Sequence, residues 1–489
     1  MTKSFNWRQV IKIMGTLLLI EAAFMLLASF VGLLFHGHDV IPLFVSTAFT
    51  VFAGVVGRLY GRSSARQIGP REGYLIVSVV WIFFSFFGMM PFILDETIDN
   101  ITDAFFETMS GFTTTGATIL VDIDNTPKGL LFWRSLMQWL GGMGIVVFSM
   151  AIFPLFGSGM SVFKAEVTGP TYDKIQPRIK DTARKLWEMY FLFTVVQTVL
   201  LVVCGMNWFD AVCHSLSTVS TGGFSTKSSS VGYWASPSIH YVIIFFMFIS
   251  SINFSLMYNV VIRRQHNRLL RDEEVRSFIW IILITTGIVA AGLYSYSYNA
   301  SFSGVERCFR TALFNVVSLI TSSGFSTCNY LSWHHLLWML VFVVSIFGGC
   351  AGSTAGGVKI IRLHIAAKNV FCEFRRIIHP KAIMPVRVNG RMVPESVVNN
   401  VHAFIFIFLM IIVASTLVLM GLGLDPLSAL SSSISSLSNV GPALGDLGPA
   451  GSYANIPAAA KWILSFLMLI GRLELFTILL LFSPSFWKR

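Results

Sequence analysis

Apolar stretches long enough to cross a bilayer, about 20 residues each, recur from one end of this 489-residue chain to the other. They read at 11–36, 40–60, 73–94, 128–156, 185–206, 238–262, 275–299, 334–362, 400–423 and 457–486. A buried soluble core cannot use so many. Only 12% of the residues are charged, against about a quarter in an ordinary soluble protein. The sequence therefore predicts an all-α integral membrane protein with about ten transmembrane helices.

The charges that remain mark sides. Lys3, Arg8 and Lys12 precede the first stretch; Arg58, Arg62, Arg66 and Arg71 follow the second. Lys174, Arg178, Lys180, Arg184 and Lys185 follow the fourth, and Arg263, Arg264, Arg268 and Arg271 the sixth. Lys368, Arg375, Arg376, Lys381, Arg387 and Arg391 follow the eighth. The connections between carry Asp39, Asp95, Glu96, Asp99, Asp122, Asp124, Asp425 and Asp446. Such alternation is the positive-inside rule. It puts both termini in the cytoplasm and accounts for the net charge of +11 without a nucleic-acid partner. The first stretch is too long for a signal-peptide core and lacks a small-residue cleavage site, so it reads as a retained helix. Six cysteines show no metal spacing and read as small hydrophobes.

Four segments between spans are too short and too rich in Ser, Thr and Gly to cross: 102–120, 209–226, 310–327 and 427–444. They align without gaps on Gly116, Gly223, Gly324 and Gly441. Twelve residues earlier stand Ala104, Ala211, Ala312 and Ala429; seven earlier, Met109, Leu216, Val317 and Ile434. Six earlier stand Ser110, Ser217, Ser318 and Ser435; three earlier, Thr113, Ser220, Thr321 and Ser438. The chain is thus four helix–pore-loop–helix repeats around one pore plus an N-terminal two-helix unit. The expected units are 1–70, 71–165, 166–270, 271–375 with an intramembrane gate loop, and 376–489.

Non-helical backbone at membrane depth is tolerated only where it is buried in protein or lines water. A half-helix pointing its C-terminus inward presents negative charge, and four loops around an axis give a carbonyl ring that can replace a cation's water. Glycine supplies the backbone angles such a loop needs, and the hydroxyl column adds oxygens. A neutral ligand set suits a weakly hydrated monovalent ion better than Ca²⁺ or Mg²⁺.

The motifs SGFTTTGAT (110–118), TGGFST (221–226), SSGFST (322–327), SNVGPALG (438–445), QWLGGMGI (138–145), GGCAGSTAGGVK (348–359) and GRLELFT (471–477) carry a resemblance over essentially the whole chain. The chain resembles the TrkH subunit of the Trk/Ktr/HKT superfamily of potassium transporters. That resemblance implies a K⁺ selectivity filter from Thr114, Thr115 and Gly116, Thr221, Gly222 and Gly223, Ser322, Ser323 and Gly324, and Asn439, Val440 and Gly441. Serine at the first glycine accompanies sodium preference in plant relatives, so Gly116 favours potassium. The fourth loop has the least hydroxyl character. The resemblance also implies a homodimer in the cytoplasmic (inner) membrane of a bacterium. Its regulator would be a TrkA-like cytosolic protein through which NAD or ATP acts; no cofactor is bound covalently.

Five glycines in the ten residues 348–357 weaken a helix by about 1 kcal/mol each, so the eighth span should break there. By the resemblance, Gly349, Cys350, Ala351, Gly352, Ser353, Thr354, Gly356 and Gly357 form a gate loop below the filter, with Ala355 where the family usually has glycine. Arg472, deep in the last span, would face the pore and meet that loop; charges at such depth are costly and usually functional. Lys359 and Arg362 read as the cytoplasmic boundary, and Glu21 as packed against another helix or near water rather than ion-binding. The stretches 157–185 and 363–399 read as basic cytoplasmic loops too short to fold as domains. An alternative is a cation-coupled secondary transporter of another small solute, but that architecture should show a twofold repeat. No HExxH, GxSxG, paired carboxylates or Walker motif appears, so the chain is not expected to be an enzyme.

Overall fold

The computed structural model describes residues 5–61, 69–152, 179–297, 302–382 and 384–487. Two helices, α1 (Trp7–Leu34) and α2 (Val40–Tyr60), pack as a hairpin. Gly15 lies so close to the backbone of Gly54 and Arg58 that no side chain would fit between, the close approach small residues allow between helices in a membrane. Asn6 caps α1 by accepting from the Gln9 amide at 3.2 Å.

Four runs of helix, short helix and helix follow. The first is α3 (Pro70–Gly88, continued by Met90–Leu94), α4 (Ile101–Phe112) and α5 (Lys128–Ile152). The second is α6 (Ile179–Val203), α7 (Trp208–Val219) and a bent pair, α8 (Pro237–Ser250) with α9 (Phe254–Val261). The third is α10 (Glu273–Ser297), α11 (Phe302–Ile320) and α12 (His335–Val344), with α13 (Ile360–Ile378) beyond an irregular segment. The fourth is α14 (Glu395–Gly421), α15 (Pro426–Ser438) and a second bent pair, α16 (Ala458–Arg472) with α17 (Phe476–Leu479). Six of the described helices are long and apolar enough to cross a membrane, and each bent pair could supply another span. Large apolar side chains such as Ile41, Phe52, Trp280, Phe406 and Leu417 stand exposed on the outside, where a bilayer would cover them.

Three of the four inner helices start on side-chain caps. Asn100, Asn207 and Asp425 accept from the amides of Thr102, Phe209 and Ser428 at 2.9, 3.2 and 2.9 Å, satisfying donors a helix start leaves open. The aligned alanines Ala104, Ala211, Ala312 and Ala429 are all fully buried. Gly141 in α5 abuts the Phe112 carbonyl, and Gly471 in α16 abuts the Leu437 carbonyl in the equivalent place.

Two spans expected to be straight are bent, and a third breaks where its glycine run says it should. The one read at 238–262 turns by 111° between α8 and α9, where Asn253 caps a new helix by accepting from the Ser255 and Leu256 amides. The one read at 457–486 turns by 108° between α16 and α17. The span read at 334–362 is helical only to Val344, and residues 345–359 are irregular. The loop read at 363–399 is also corrected. It contains most of α13 and a hairpin, β1 (Arg387–Val388) with β2 (Arg391–Met392), closed by Asn389 and Gly390, both at positive φ, the turn chemistry tight hairpins favour. Most of 157–185, with Lys174 and Arg178, and the end of the span read at 128–156 lie outside the described residues.

Replacing Gly141 by alanine should cost about 1–3 kcal/mol through overpacking, because the new methyl meets the Phe112 carbonyl. Thermal unfolding in detergent measures this. Gly287→Ala, where nothing lies within 4 Å, should leave the midpoint unchanged or raise it slightly.

Candidate functional site

Each short helix ends inside the molecule in the same way. The amide two residues before the aligned glycine bonds back to the carbonyl three residues earlier: Thr114 to Gly111 at 3.0 Å, Thr221 to Thr218 at 2.9 Å, Ser322 to Leu319 at 3.1 Å, Asn439 to Ser436 at 3.3 Å. The next amide reaches the serine column: Thr115 to Ser110, Gly222 to Ser217, Ser323 to Ser318 and Val440 to Ser435, at 2.8–3.0 Å. This paired closure is a Schellman motif. Its turning residue lies in the left-handed region, and glycine usually fills it. Here Thr114, Thr221, Ser322 and Asn439 do so, at φ 53, 56, 53 and 52°. Non-glycine residues held there cost of order 1 kcal/mol or more each and cluster at functional sites.

Two residues on, the aligned glycines also have positive φ, 83, 82, 74 and 100° for Gly116, Gly223, Gly324 and Gly441. They also close a ring. A carbon added to Gly116 would strike the Gly222 carbonyl oxygen; on Gly223, that of Ser323; on Gly324, that of Val440; on Gly441, that of Thr115. Each loop's glycine thus makes room for the carbonyl preceding the next loop's glycine, and the fourth returns to the first.

Side chains brace the loops differently around the ring. In the first and third, which lie opposite, the Thr113 and Thr115 hydroxyls and the Thr321 and Ser323 hydroxyls pair, each at 2.9 Å. Gly222 and Val440 have no hydroxyl to offer. Instead Gln138 of α5 donates to the Gly222 carbonyl at 2.7 Å and accepts from the Phe224 amide at 3.0 Å. The Asn439 amide donates to the Thr115 hydroxyl at 3.0 Å and the Met468 carbonyl at 2.8 Å, and the Tyr453 hydroxyl donates to the Gly441 carbonyl at 2.9 Å. The Gly222 and Gly441 carbonyls are therefore partly committed to protein donors. Thr113 and Ser220 donate their hydroxyl protons to the Met109 and Leu216 carbonyls.

A further position behind the ring escapes the sequence. Nine residues before the glycines stand Glu107, His214, Asn315 and Ser432, all buried. The first three reach forward to the outgoing strand. Glu107 accepts from the Thr118 hydroxyl and from the Ile119 amide at 2.9 Å, His214 Nε2 pairs with the Ser225 hydroxyl at 3.0 Å, and Asn315 donates to the Thr327 hydroxyl at 3.2 Å. In the fourth loop Ser431 takes this task from the Leu444 amide at 3.0 Å. Glu107 also pairs with buried Arg134 at 2.8 Å, whose guanidinium lies 4.1 Å from the Phe224 ring centre. A buried polar residue recurring at one offset was the available signal, whatever its type.

Residues 345–359 fold under the ring. Thr354 donates to the Val219 carbonyl at 3.1 Å and the Ser250 carbonyl at 3.2 Å, and the Gly356 amide donates to the Ser322 hydroxyl at 2.6 Å. Gly356 also abuts the Ser438 carbonyl. The segment therefore touches the inner ends of α7 and α15 and the third loop. Cys350 donates through its amide to Ser251, Gly352 accepts from the Phe254 amide at 3.1 Å, and Ser353 donates to the Cys350 carbonyl at 2.6 Å. Gly349 accepts from the Ile360 amide at 3.1 Å, Ala351 is buried, and Gly357 has φ 74°.

Arg472 is buried and donates to the Thr354 carbonyl at 2.7 Å and the Gly141 carbonyl at 3.1 Å. Just beyond it Glu474 and Leu475 both have positive φ, at 55 and 53°. Lys359 and Arg362, read as marking the cytoplasmic boundary, are held inside the protein. Both are buried, Lys359 donating to the Ala355 carbonyl and Arg362 pairing with Glu474 at 2.7 Å over the Phe404 ring. Glu21 lies buried beside Gly88 of α3.

Comparison with known proteins agrees in one direction. The family model for TrkH, a cation transport protein, matches residues 42–489. The Trk system potassium uptake protein TrkH of Salmonella typhimurium is 38% identical over 490 residues, spanning 99% of this chain and 100% of the relative. The Trk system potassium uptake protein TrkG of Escherichia coli is 34% identical, over 98% and 99%. The crystal structure of the potassium transporter TrkH from Vibrio parahaemolyticus superposes with a TM-score of 0.90 at 35% identity, covering 99% of this chain and 100% of that one.

Arg134→Ala leaves Glu107 buried without its partner and should cost about 3–5 kcal/mol, read as a fall in the thermal midpoint. Arg184→Ala, which breaks an exposed pair with Glu188, should change it by less than about 1 kcal/mol.

Proposed function

Because the chain belongs to the TrkH family of cation transport proteins, we propose that it takes up potassium across the cytoplasmic membrane of a bacterium, as a multi-pass protein with both termini in the cytoplasm. The observation that carries this reading is the closed ring of four glycines and the carbonyls they admit. In the proposed filter, carbonyls of Thr114, Thr115, Thr221, Gly222, Ser322, Ser323, Asn439 and Val440 take over from the water around K⁺, with Gly116, Gly223, Gly324 and Gly441 setting the backbone. A ring of neutral oxygens discriminates by replacing hydration. The Gln138 bond to Gly222 gives the second loop's carbonyl a competing partner, so that loop coordinates less strongly than the first.

In this reading residues 349–357 are the gate. The contacts of Thr354 and Gly356 with the inner ends of the loops and pore helices favour a plug in the conduction path, and Arg472 fastens it through the Thr354 carbonyl. The five units 1–70, 71–165, 166–270, 271–375 and 376–489 are the proposed modules. A TrkA-like cytosolic regulator that reads NAD or ATP, and a homodimer with one pore per subunit, complete the assembly; α13 and the β1–β2 hairpin offer the regulator a structured surface.

The test is uptake of radiolabelled rubidium into liposomes holding the purified protein. Excess K⁺ should abolish uptake and excess Na⁺ should barely reduce it. Gly116→Ser should relax that preference by about tenfold or more, a change of roughly 1.4 kcal/mol. Na⁺ competing as well as K⁺ in the unsubstituted protein would overturn the filter assignment. Deleting residues 350–356 should raise basal flux without changing the preference, and Arg472→Ala should raise it less. Unchanged flux in a folded deletion variant would sink the gate.

A further inference from the structure

The irregular segment below the ring has a neck. The Ile360 amide bonds to the Gly349 carbonyl and the Val358 amide to the Ile346 carbonyl, both at 3.1 Å, so its two ends run side by side. At this neck stands the buried side chain of Glu274, from the first turn of α10. Its Oε1 accepts from the Ala351 amide at 2.7 Å and from the Ile361 amide at 3.2 Å. One carboxylate oxygen thus holds the strand entering the segment and the strand leaving it.

Glu274 is the last of three consecutive acids, and each holds a different element. Asp272 caps α10 by accepting from the Val275 amide at 3.1 Å and accepts from Asn389, in the β1–β2 turn, at 2.9 Å. The Glu273 amide donates to the Asn389 side chain at 2.8 Å, and the Glu273 carboxylate pairs with His364 at 3.1 Å and with Lys368 on α13. The first turn of α10 is therefore the junction of the hairpin, α13 and the neck.

Building on the gate reading above, we propose that Glu274 is a positioning residue for the gate. It fixes both ends of the loop at one point and transmits displacement of the hairpin and α13 to it. Releasing the two hydrogen bonds strands two buried amides at the neck. A shift of the α10 first turn then moves both ends together. A residue bonded only inside the loop would not couple in this way.

The experiment is the same rubidium flux in liposomes, with Glu274→Ala, Glu274→Gln and each combined with deletion of 350–356. Glu274→Ala should raise basal flux about tenfold with the preference for K⁺ over Na⁺ intact. Glu274→Gln keeps an acceptor oxygen at the same reach and should return flux most of the way to the original. In the deletion background Glu274→Ala should add nothing, because the neck has nothing left to hold. If the deletion opens the protein and Glu274→Ala does not, the assignment falls and the gate stands. If the deletion itself leaves flux low, the gate falls and takes this assignment with it. Should the alanine variant not be recovered as a monodisperse protein, Glu274→Asp, too short by one methylene to reach both amides, must give the same opening or the assignment fails.

Discussion

A helix that stops in the middle of a protein leaves its last carbonyls unpaired, and here four helices do so around one centre. The Schellman closure recovers two bonds at each end but drives Thr114, Thr221, Ser322 and Asn439 into the left-handed region. Nothing local favours that conformation for threonine, whose branched Cβ makes it an outlier there. It persists because the surroundings fix it: the hydroxyl pairs of the first and third loops, Gln138 in the second, and Asn439 with Tyr453 in the fourth. Much of the rest follows from packing against those ends. Gly141 and Gly471 are bare so that the outer helices can approach the carbonyls, and in the first three loops the polar residue nine positions upstream ties the outgoing strand to its own helix.

Register was legible in the chain because its columns repeat a residue type. The glycine column announced a backbone need, and the structure supplies the reason in the neighbour's carbonyl. The serine column was equally visible, but its shared task belongs to the backbone: the carbonyls of Ser110, Ser217, Ser318 and Ser435 accept the closing amide, while only the Ser318 hydroxyl is seen bonding across the loop, to Phe325. The bracing column stayed hidden because Glu107, His214 and Asn315 share a place and a task but no chemistry. Matching by type cannot find a position that asks only for a buried polar group able to reach forward.

The breaks divide the same way. A glycine-rich run flagged the irregular segment after α12. No glycine or proline marks the turn between α8 and α9, where the cap on Asn253 acts instead. The buried ion pairs were illegible for a different reason. Arg362 and Glu474 are more than a hundred residues apart, so no local pattern relates them, and the meeting of Arg472 with the glycine-rich segment was expected only through the family resemblance.

The ring is made from four unlike loops on a single polypeptide. Where a pore is assembled from identical subunits, one altered codon changes every quarter at once, and intermediate designs are never sampled. Here one codon changes one quarter. Thr115, Gly222, Ser323 and Val440, which sit at a single ring position, already differ in size and polarity. Each quadrant of such a ring can therefore vary on its own while the other three keep the shared geometry.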